Sequence, residues 1–189
     1  AQEVVKQISS MSRKNVETVY DAVSAEGLLH RTRKLVETNC PKNVELCEEN
    51  ALTGECVLGN ATQLQQVLLN ISINAIHAIG PEGGTLTIRG GVVPRRELEA
   101  RFPEEKISEE WSSYVCLSVT DTGCGMDKET MQHIFEPFFT TKKTGEGTGL
   151  GLALADQIIR THRGRIRAES TIGRGTTFYV YLPVLEQQQ

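Results

Sequence analysis

Asn60-Ala61-Thr62-Gln63-Leu64-Gln65-Gln66-Val67-Leu68-Leu69-Asn70-Ile71-Ser72-Ile73-Asn74-Ala75-Ile76-His77-Ala78-Ile79, followed by Gly80-Pro81, is the stretch on which the fold turns. With about 100° between successive helical residues, Leu64, Val67, Leu68, Ile71, Ala75 and Ile79 fall on one face. Leu69, Ile73 and Ile76 form a second apolar strip. Asn60 or Thr62 supplies an N-cap, and Gly80-Pro81 ends the helix. Both apolar flanks predict burial. Between them runs a polar line of Gln63, Gln66, Asn70, Asn74 and His77, and a mostly buried helix should carry no unpaired amides. Something polar is expected to meet that line.

Downstream, the Pro81-Glu82-Gly83-Gly84 turn leads into a strand over 85–89. The charged stretch 93–112 reads as an exposed insertion in a hairpin connection, with Trp111 as a local anchor. Residues 114–120 alternate as a strand whose Val115, Leu117 and Val119 share one face, and Asp121 comes next on that inward face. A carboxylate aimed at a core is costly without a donor, so a backbone turn, a ligand or both must meet it. Thr140-Thr141-Lys142-Lys143-Thr144-Gly145-Glu146-Gly147-Thr148-Gly149 is glycine-rich and polar and reads as a mobile loop. Helical spacing resumes over 150–162, which puts the glycines at a helix N-terminus, where free amides and the macrodipole favour phosphate. Strands over 164–170 and 176–182 close the domain as a hairpin.

Upstream, 28–38 reads as a helix stopped by Asn39-Cys40-Pro41, with Val44, Leu46 and then 56–58 in two short strands. Before Gly27, Val5, Ile8, Val16, Val19 and Val23 mark a weakly amphipathic helix. Its stripe is too thin to bury alone and would pack on a partner helix outside the chain.

The 189 residues allow one well-cored domain plus a short appendage. Hydrophobic residues at 39% and charged residues at 23% fit a globular chain and exclude a fibrous or wholly disordered one. Twenty Lys and Arg against 24 Asp and Glu give a net charge of −4, with no basic block to track a phosphate backbone, so nucleic acid is not an expected partner. No window approaches the roughly 18 apolar residues of a membrane span, and the N-terminus has no signal-like pattern. No membrane contact by this domain is expected. Cys40, Cys47, Cys56, Cys116 and Cys124 are odd in number and form no C-x-x-C pair, which predicts free thiols in a reducing cytoplasm.

Four pieces thus stand in order: the Asn line, an inward Asp followed by Gly123-x-Gly125, a loop with Lys142 and Lys143, and a glycine-rich helix start. Singly each is weak, since an Asp-x-Gly-x-Gly string is most often a turn and a glycine cluster a loop. Together the segments resemble the catalytic ATP-binding domain of sensor histidine kinases, within the wider family of gyrase, Hsp90, histidine kinase and MutL ATPases. Leu68-Leu69-Asn70-Ile71-Ser72-Ile73-Asn74-Ala75 resembles the N box, and Asp121-Thr122-Gly123-Cys124-Gly125-Met126 the first glycine box. Ile134-Phe135-Glu136-Pro137-Phe138-Phe139-Thr140-Thr141-Lys142 resembles the F box, 145–152 the second glycine box, and Gly173-Arg174-Gly175-Thr176-Thr177-Phe178 the closing glycine-Thr segment. The match runs over 28–183, and 74–84 is most similar to the nitrogen-regulation type of sensor kinase.

The resemblance implies an α/β fold of the Bergerat ATP-binding type, a two-layer sandwich of a mixed, mainly antiparallel sheet of about five strands backed by three helices. It implies a catalytic domain over 28–185, a helical segment over 1–27 that ends a dimerisation helix or forms a linker, and a tail at 186–189. The cofactors implied are ATP and Mg²⁺. Asn74 would hold Mg²⁺ through its amide oxygen, a hard ligand for an ion held mostly by phosphates and water. Asn70, one turn earlier, would support the same ion or a phosphate oxygen. His77 stands where the family often has a basic residue near phosphate; a solvated or packed His is the other reading. Asp121 would accept a hydrogen bond from the adenine amino group, Gly123 and Gly125 would let the backbone approach the base, and Thr176 would help hold adenine through water. Gly147, Gly149 and Gly151 would give the loop hinge freedom and expose helix amides to phosphate, with Thr148 and Leu150 in the same ATP-binding segment. Lys142 or Lys143 would neutralise terminal-phosphate charge. Phe135, Phe138 and Phe139 would anchor the loop.

None of His30, His77, His133 and His162 sits in a His-Glu-x-x-x-Pro context. The implied reaction is therefore transfer of the γ-phosphoryl group of Mg-ATP to a histidine in a separate dimerisation domain of the same kinase, with a response regulator downstream. Where ATPase branches carry a Glu that activates water, this chain has Asn70, which lacks useful basicity, so hydrolysis is expected to be poor. The alternatives are a serine kinase of the anti-sigma-factor type and a nucleotide-sensing module without transfer. The F box and the Gly-x-Gly-x-Gly-Leu-Gly-Leu string favour the histidine kinase. A Rossmann dehydrogenase fails because G-x-G-x-x-G is not matched, and no P-loop string occurs.

Overall fold

The computed structural model describes residues 19–141 and 149–186. In chain order the elements are β1 (Asp21–Ser24), α1 (Ala25–Asn39), β2 (Val44–Asn50), β3 (Cys56–Gly59), α2 (Ala61–Ile79), β4 (Gly84–Pro94), α3 (Arg95–Arg101), β5 (Ser113–Asp121), α4 (Lys128–Met131), α5 (Gly151–Thr161), β6 (Arg165–Thr171) and β7 (Gly175–Pro183). A five-stranded sheet runs β2-β4-β5-β7-β6; β2 and β4 pair parallel and the other neighbours antiparallel. The expected two-layer, mainly antiparallel sandwich is the architecture found.

One layer is set by β5. Val115, Leu117 and Val119 are buried and share a hydrophobic cluster with Val67, Ile71 and Ala75 of α2 and with Leu154, Ala155, Ile158 and Ile159 of α5. The buried positions of α5 recur at four-residue spacing, so the helix shows a single apolar stripe to the sheet. Asn60 caps α2 by accepting the Gln63 N–H at 2.9 Å. Buried His162, just past α5, ties the two helices together: Nδ1–H donates to Ile158 O (2.7 Å), and Nε2 accepts from the Asn60 N–H (3.0 Å). No helix among the described residues is long and apolar enough to cross a membrane.

Three expectations need correction. The helix expected over 1–27 gives way at 21–24 to β1, which pairs antiparallel with β3 in a separate two-stranded sheet; 1–18 lie outside the described residues. Val23 sits opposite Val57 and is buried with it, a better burial than a thin helical stripe offers. Gly27 does not interrupt a helix: Ser24 caps α1 by accepting the Gly27 N–H at 3.0 Å, so the domain's core begins before residue 28. The stretch 93–112 is not simply exposed either. It folds α3 against the far face of the sheet, where Leu98, Ile107, Tyr114 and Tyr181 make a second buried cluster that Trp111 packs on, as a local anchor should. Finally, the second strip of α2 is open: Ile73 is 44% exposed, and Leu69 and Ile76 are half-buried. A flank bordering the Asn line cannot be sealed without sealing the amides as well.

Candidate functional site

The inward face of β5 ends at Asp121, which is 3% exposed and stands in register with Thr176 of β7. Its Oδ1 accepts the backbone N–H of Gly123 (2.8 Å) and of Thr176 (3.3 Å). Burial pushes this carboxyl above the ordinary carboxylate range, and the two amide donors pull it partly back. Among the described residues nothing hydrogen-bonds Oδ2. A backbone turn therefore meets the carboxylate, and one oxygen is left for an outside donor.

Thr176 belongs to a small hydroxyl relay. Ser170 Oγ donates to Gly175 O (3.1 Å) and accepts the Met126 N–H (2.8 Å), so in its 2.7 Å pair with Thr176 the threonine donates. The Thr176 oxygen keeps its lone pairs as a buried acceptor beside Asp121. Ser170 was not singled out from sequence, although pairing the closing hairpin outward from its turn puts it opposite Thr176.

The glycines after Asp121 serve packing. A Cβ on Gly123 would lie 2.5 Å from the Ala78 backbone, and the Cys124 N–H donates to Ala78 O at 3.2 Å, so the loop rests on the last turn of α2. Gly125, at φ 70°, backs onto Thr171 O, and Gly173 N–H donates to Cys124 O at 2.8 Å. Both residues let the backbone come close to α2 and to the β6–β7 turn. That contact aligns the site, because Asn74 precedes Ala78 by four residues and Asn70 precedes Asn74 by four, one below the other on the helix. Asn70 and Asn74 are half-buried, whereas His77 is exposed on the outer flank and engaged in a contact of its own. No cluster of three His, Cys, Asp or Glu able to hold a metal ion exists among the described residues. Amide oxygens are hard ligands, and two of them one turn apart on a half-buried line suit an ion that takes most of its ligands from phosphate and water.

α5 packs on α2, and buried Leu150 is its N-cap, with no side-chain cap hydrogen bond from Leu150 itself. The first turn carries no acidic residue, and the N–H groups that open the helix at Gly151 have no intrahelical partner. Gly149 O accepts from the Phe138 N–H (2.9 Å), joining the helix start to the segment before the loop. There Phe135 meets Phe178 edge-on at 6.4 Å and Phe139 lies 5.6 Å from His133. Phe138 is not an anchor: it is 61% exposed and held at φ 68°. Lys142, Lys143, Gly147 and Thr148 lie outside the described residues.

Residues 59–186 match the family of histidine kinase-, DNA gyrase B- and HSP90-like ATPases. The chain is 34% identical over its whole length to the sensor kinase CckA of Brucella abortus, covering 20% of that protein. It is 37% identical over 97% of its length to the signal transduction histidine-protein kinase AtoS of Escherichia coli, covering 27%. The chain thus spans between 20% and 33% of the length of the first curated relatives it matches. The catalytic domain of the histidine kinase ThkA superposes with a TM-score of 0.68 at 28% identity, over 88% of this chain and 98% of that one. The buried acceptor at the end of β5, the Asn line on the helix it rests on, and these likenesses converge: the chain belongs to the histidine kinase-, DNA gyrase B- and HSP90-like ATPase family, as a catalytic ATP-binding domain of the sensor histidine kinase type.

Proposed function

We propose that this chain binds adenine at Asp121 and Thr176 and donates the γ-phosphoryl group of ATP to a histidine on a dimerisation domain of the same kinase, acting in the cytoplasm ahead of a response regulator. The observation that carries the reading is the split state of Asp121, with Oδ1 tied to two amides and Oδ2 open beside an acceptor hydroxyl. Two adjacent acceptors in a buried site suit an exocyclic amino group, which adenine offers and guanine lacks at that position. Asn74, supported by Asn70, would hold Mg²⁺, which supplies neutralisation of phosphate charge when bound. The opening amides of α5 would receive phosphate oxygens, with Gly149, Leu150 and Gly151 as their frame. Lys142 or Lys143, Gly147 and Thr148 complete the proposed phosphate side. Asn70 offers no base to activate water, so transfer is favoured over hydrolysis.

Calorimetric titration of ADP, with and without Mg²⁺, tests the binding half. Wild type should bind, Asp121→Asn should lose adenine, and Asn74→Ala should bind with no Mg²⁺ dependence. Labelled ATP with the relatives' type of histidine-bearing domain tests the transfer half. Binding without any phosphohistidine would leave a nucleotide-sensing module, and binding that ignores Asp121→Asn would overturn the assignment of the base.

A further inference from the structure

Away from the nucleotide site, the stretch after α3 meets the end of α5 and the start of β6 around a cavity of about 270 Å³. Its apolar floor is Leu98, Ile107 and Trp111, and its charged wall holds Lys106, Arg160, Arg163 and Arg165 against Glu110. We propose that this cavity is a second binding site that takes a small anion bearing phosphate or carboxylate groups.

Three observations carry the proposal. The cations outnumber their partners: Arg160 pairs with Asp156 and shares one Glu105 oxygen with Arg165 Nε at 3.2 Å, Arg163 has only Glu110, and Lys106 has no ion pair among the described residues. An oxygen anion would give Lys106 a countercharge and Arg163 a bidentate partner in place of Glu110. Next, the gate is weak. Arg163 reaches Glu110 at 3.5 Å, with the two side chains 68% and 62% exposed, and an exposed pair of that kind yields readily to a competing anion. Arg163 also lies over the Trp111 ring, 5.5 Å from its centroid, which holds the guanidinium at the cavity mouth. Last, Tyr114 lines the cavity at 2% exposure, and its hydroxyl has no hydrogen-bond partner among the described residues. That hydroxyl is not sealed from the cavity and can meet a bound oxygen there. The volume lies just under the roughly 300–1,000 Å³ of sites for larger organic ligands, which limits the occupant to a small molecule. Such a concentration of cations stands out in a chain of net charge −4.

Trp111 is the chain's single tryptophan, so its fluorescence reports this cavity directly. The experiment titrates inorganic pyrophosphate and, separately, citrate into the chain at constant ionic strength, with sodium chloride as the reference. A saturable change with either anion supports the site, and whichever binds tighter assigns phosphate or carboxylate as its chemistry. Arg163→Asn, which tolerates the φ of 60° at that position, and exposed Lys106→Ala should each weaken binding about tenfold or more. The proposal fails if the response is unsaturable or equals that of chloride, or if both cation variants bind like wild type.

Discussion

Along β5, Val115, Leu117 and Val119 point toward α2 and α5 and the series ends in Asp121, whereas Tyr114, Cys116, Ser118 and Thr120 point to the opposite face. The helix-covered face is dry and apolar up to its last position, where a carboxylate is buried with two backbone donors. The other face is aromatic and ionic: Tyr179 stacks on Tyr181, Arg167 lies over Tyr179 and pairs with Glu169, and the stretch around α3 closes it. One strand thus serves two interiors. The first concentrates hydrophobic burial and ends in one costly acceptor, and the second spreads modest polar contacts over many exposed pairs. The proposed nucleotide site belongs to the first face because a single open oxygen discriminates only where water does not compete for it.

Leu117→Ala should damage the helix-covered face most. Leu117 is 1% exposed in the main cluster, and its truncation should cost about 2–5 kcal/mol in chemical denaturation. Asp121→Asn should reduce ADP affinity by about 100-fold, roughly 2.7 kcal/mol, because the amide points a donor where the base brings its own. The same variant carries a pH signature. With its native pKa raised by burial, Asp121 contributes stability that is present at acid pH and lost as pH climbs through the raised value. Without nucleotide, the Tm of Asp121→Asn relative to wild type should therefore rise between pH 4 and pH 7. A gap that shrinks over that range contradicts the buried-carboxyl account.

Cysteines sharpen the contrast. The Cys116 thiol is pushed up to about 12, chiefly by burial, while Cys124 is exposed between Gly123 and Gly125. At pH 8, iodoacetamide should label Cys116 at least about 100-fold more slowly than Cys124 by mass spectrometry, and ADP should protect Cys124. The smallest effect belongs to Leu98→Ala. The satellite cluster is small and can relax, so the loss should be about 2 kcal/mol with ADP affinity unchanged. An equal loss in binding would mean that the two faces are coupled.

Much of the fold was legible because it depends on local patterns. The 3.6-residue period of 60–79, the alternation of 114–120 and the Gly80-Pro81 stop each express backbone geometry that neighbours in sequence decide. The placement of Asp121 could be read the same way, since its face follows from Val115, Leu117 and Val119. What sequence missed had long-range causes. Strand β1 forms because Val23 finds Val57, a partner over 30 residues away that no local stripe announces. Phe138 and Ile73 are apolar yet exposed, and apolar character alone does not tell which flank a neighbour will cover.

Spacing and periodicity specify which residues share a face, and they suffice to put an inward carboxylate, an asparagine line and glycine-rich turns in one order on one α/β sandwich. The packing of Gly123 and Gly125 on Ala78 and Thr171, the orientation of Thr176 by Ser170 and the open Asp121 oxygen arise from contacts between distant segments. Hydrogen bonds are directional and short, so which donors reach which oxygen is settled by the docking of α2, β5 and the β6–β7 hairpin within a few tenths of an ångström.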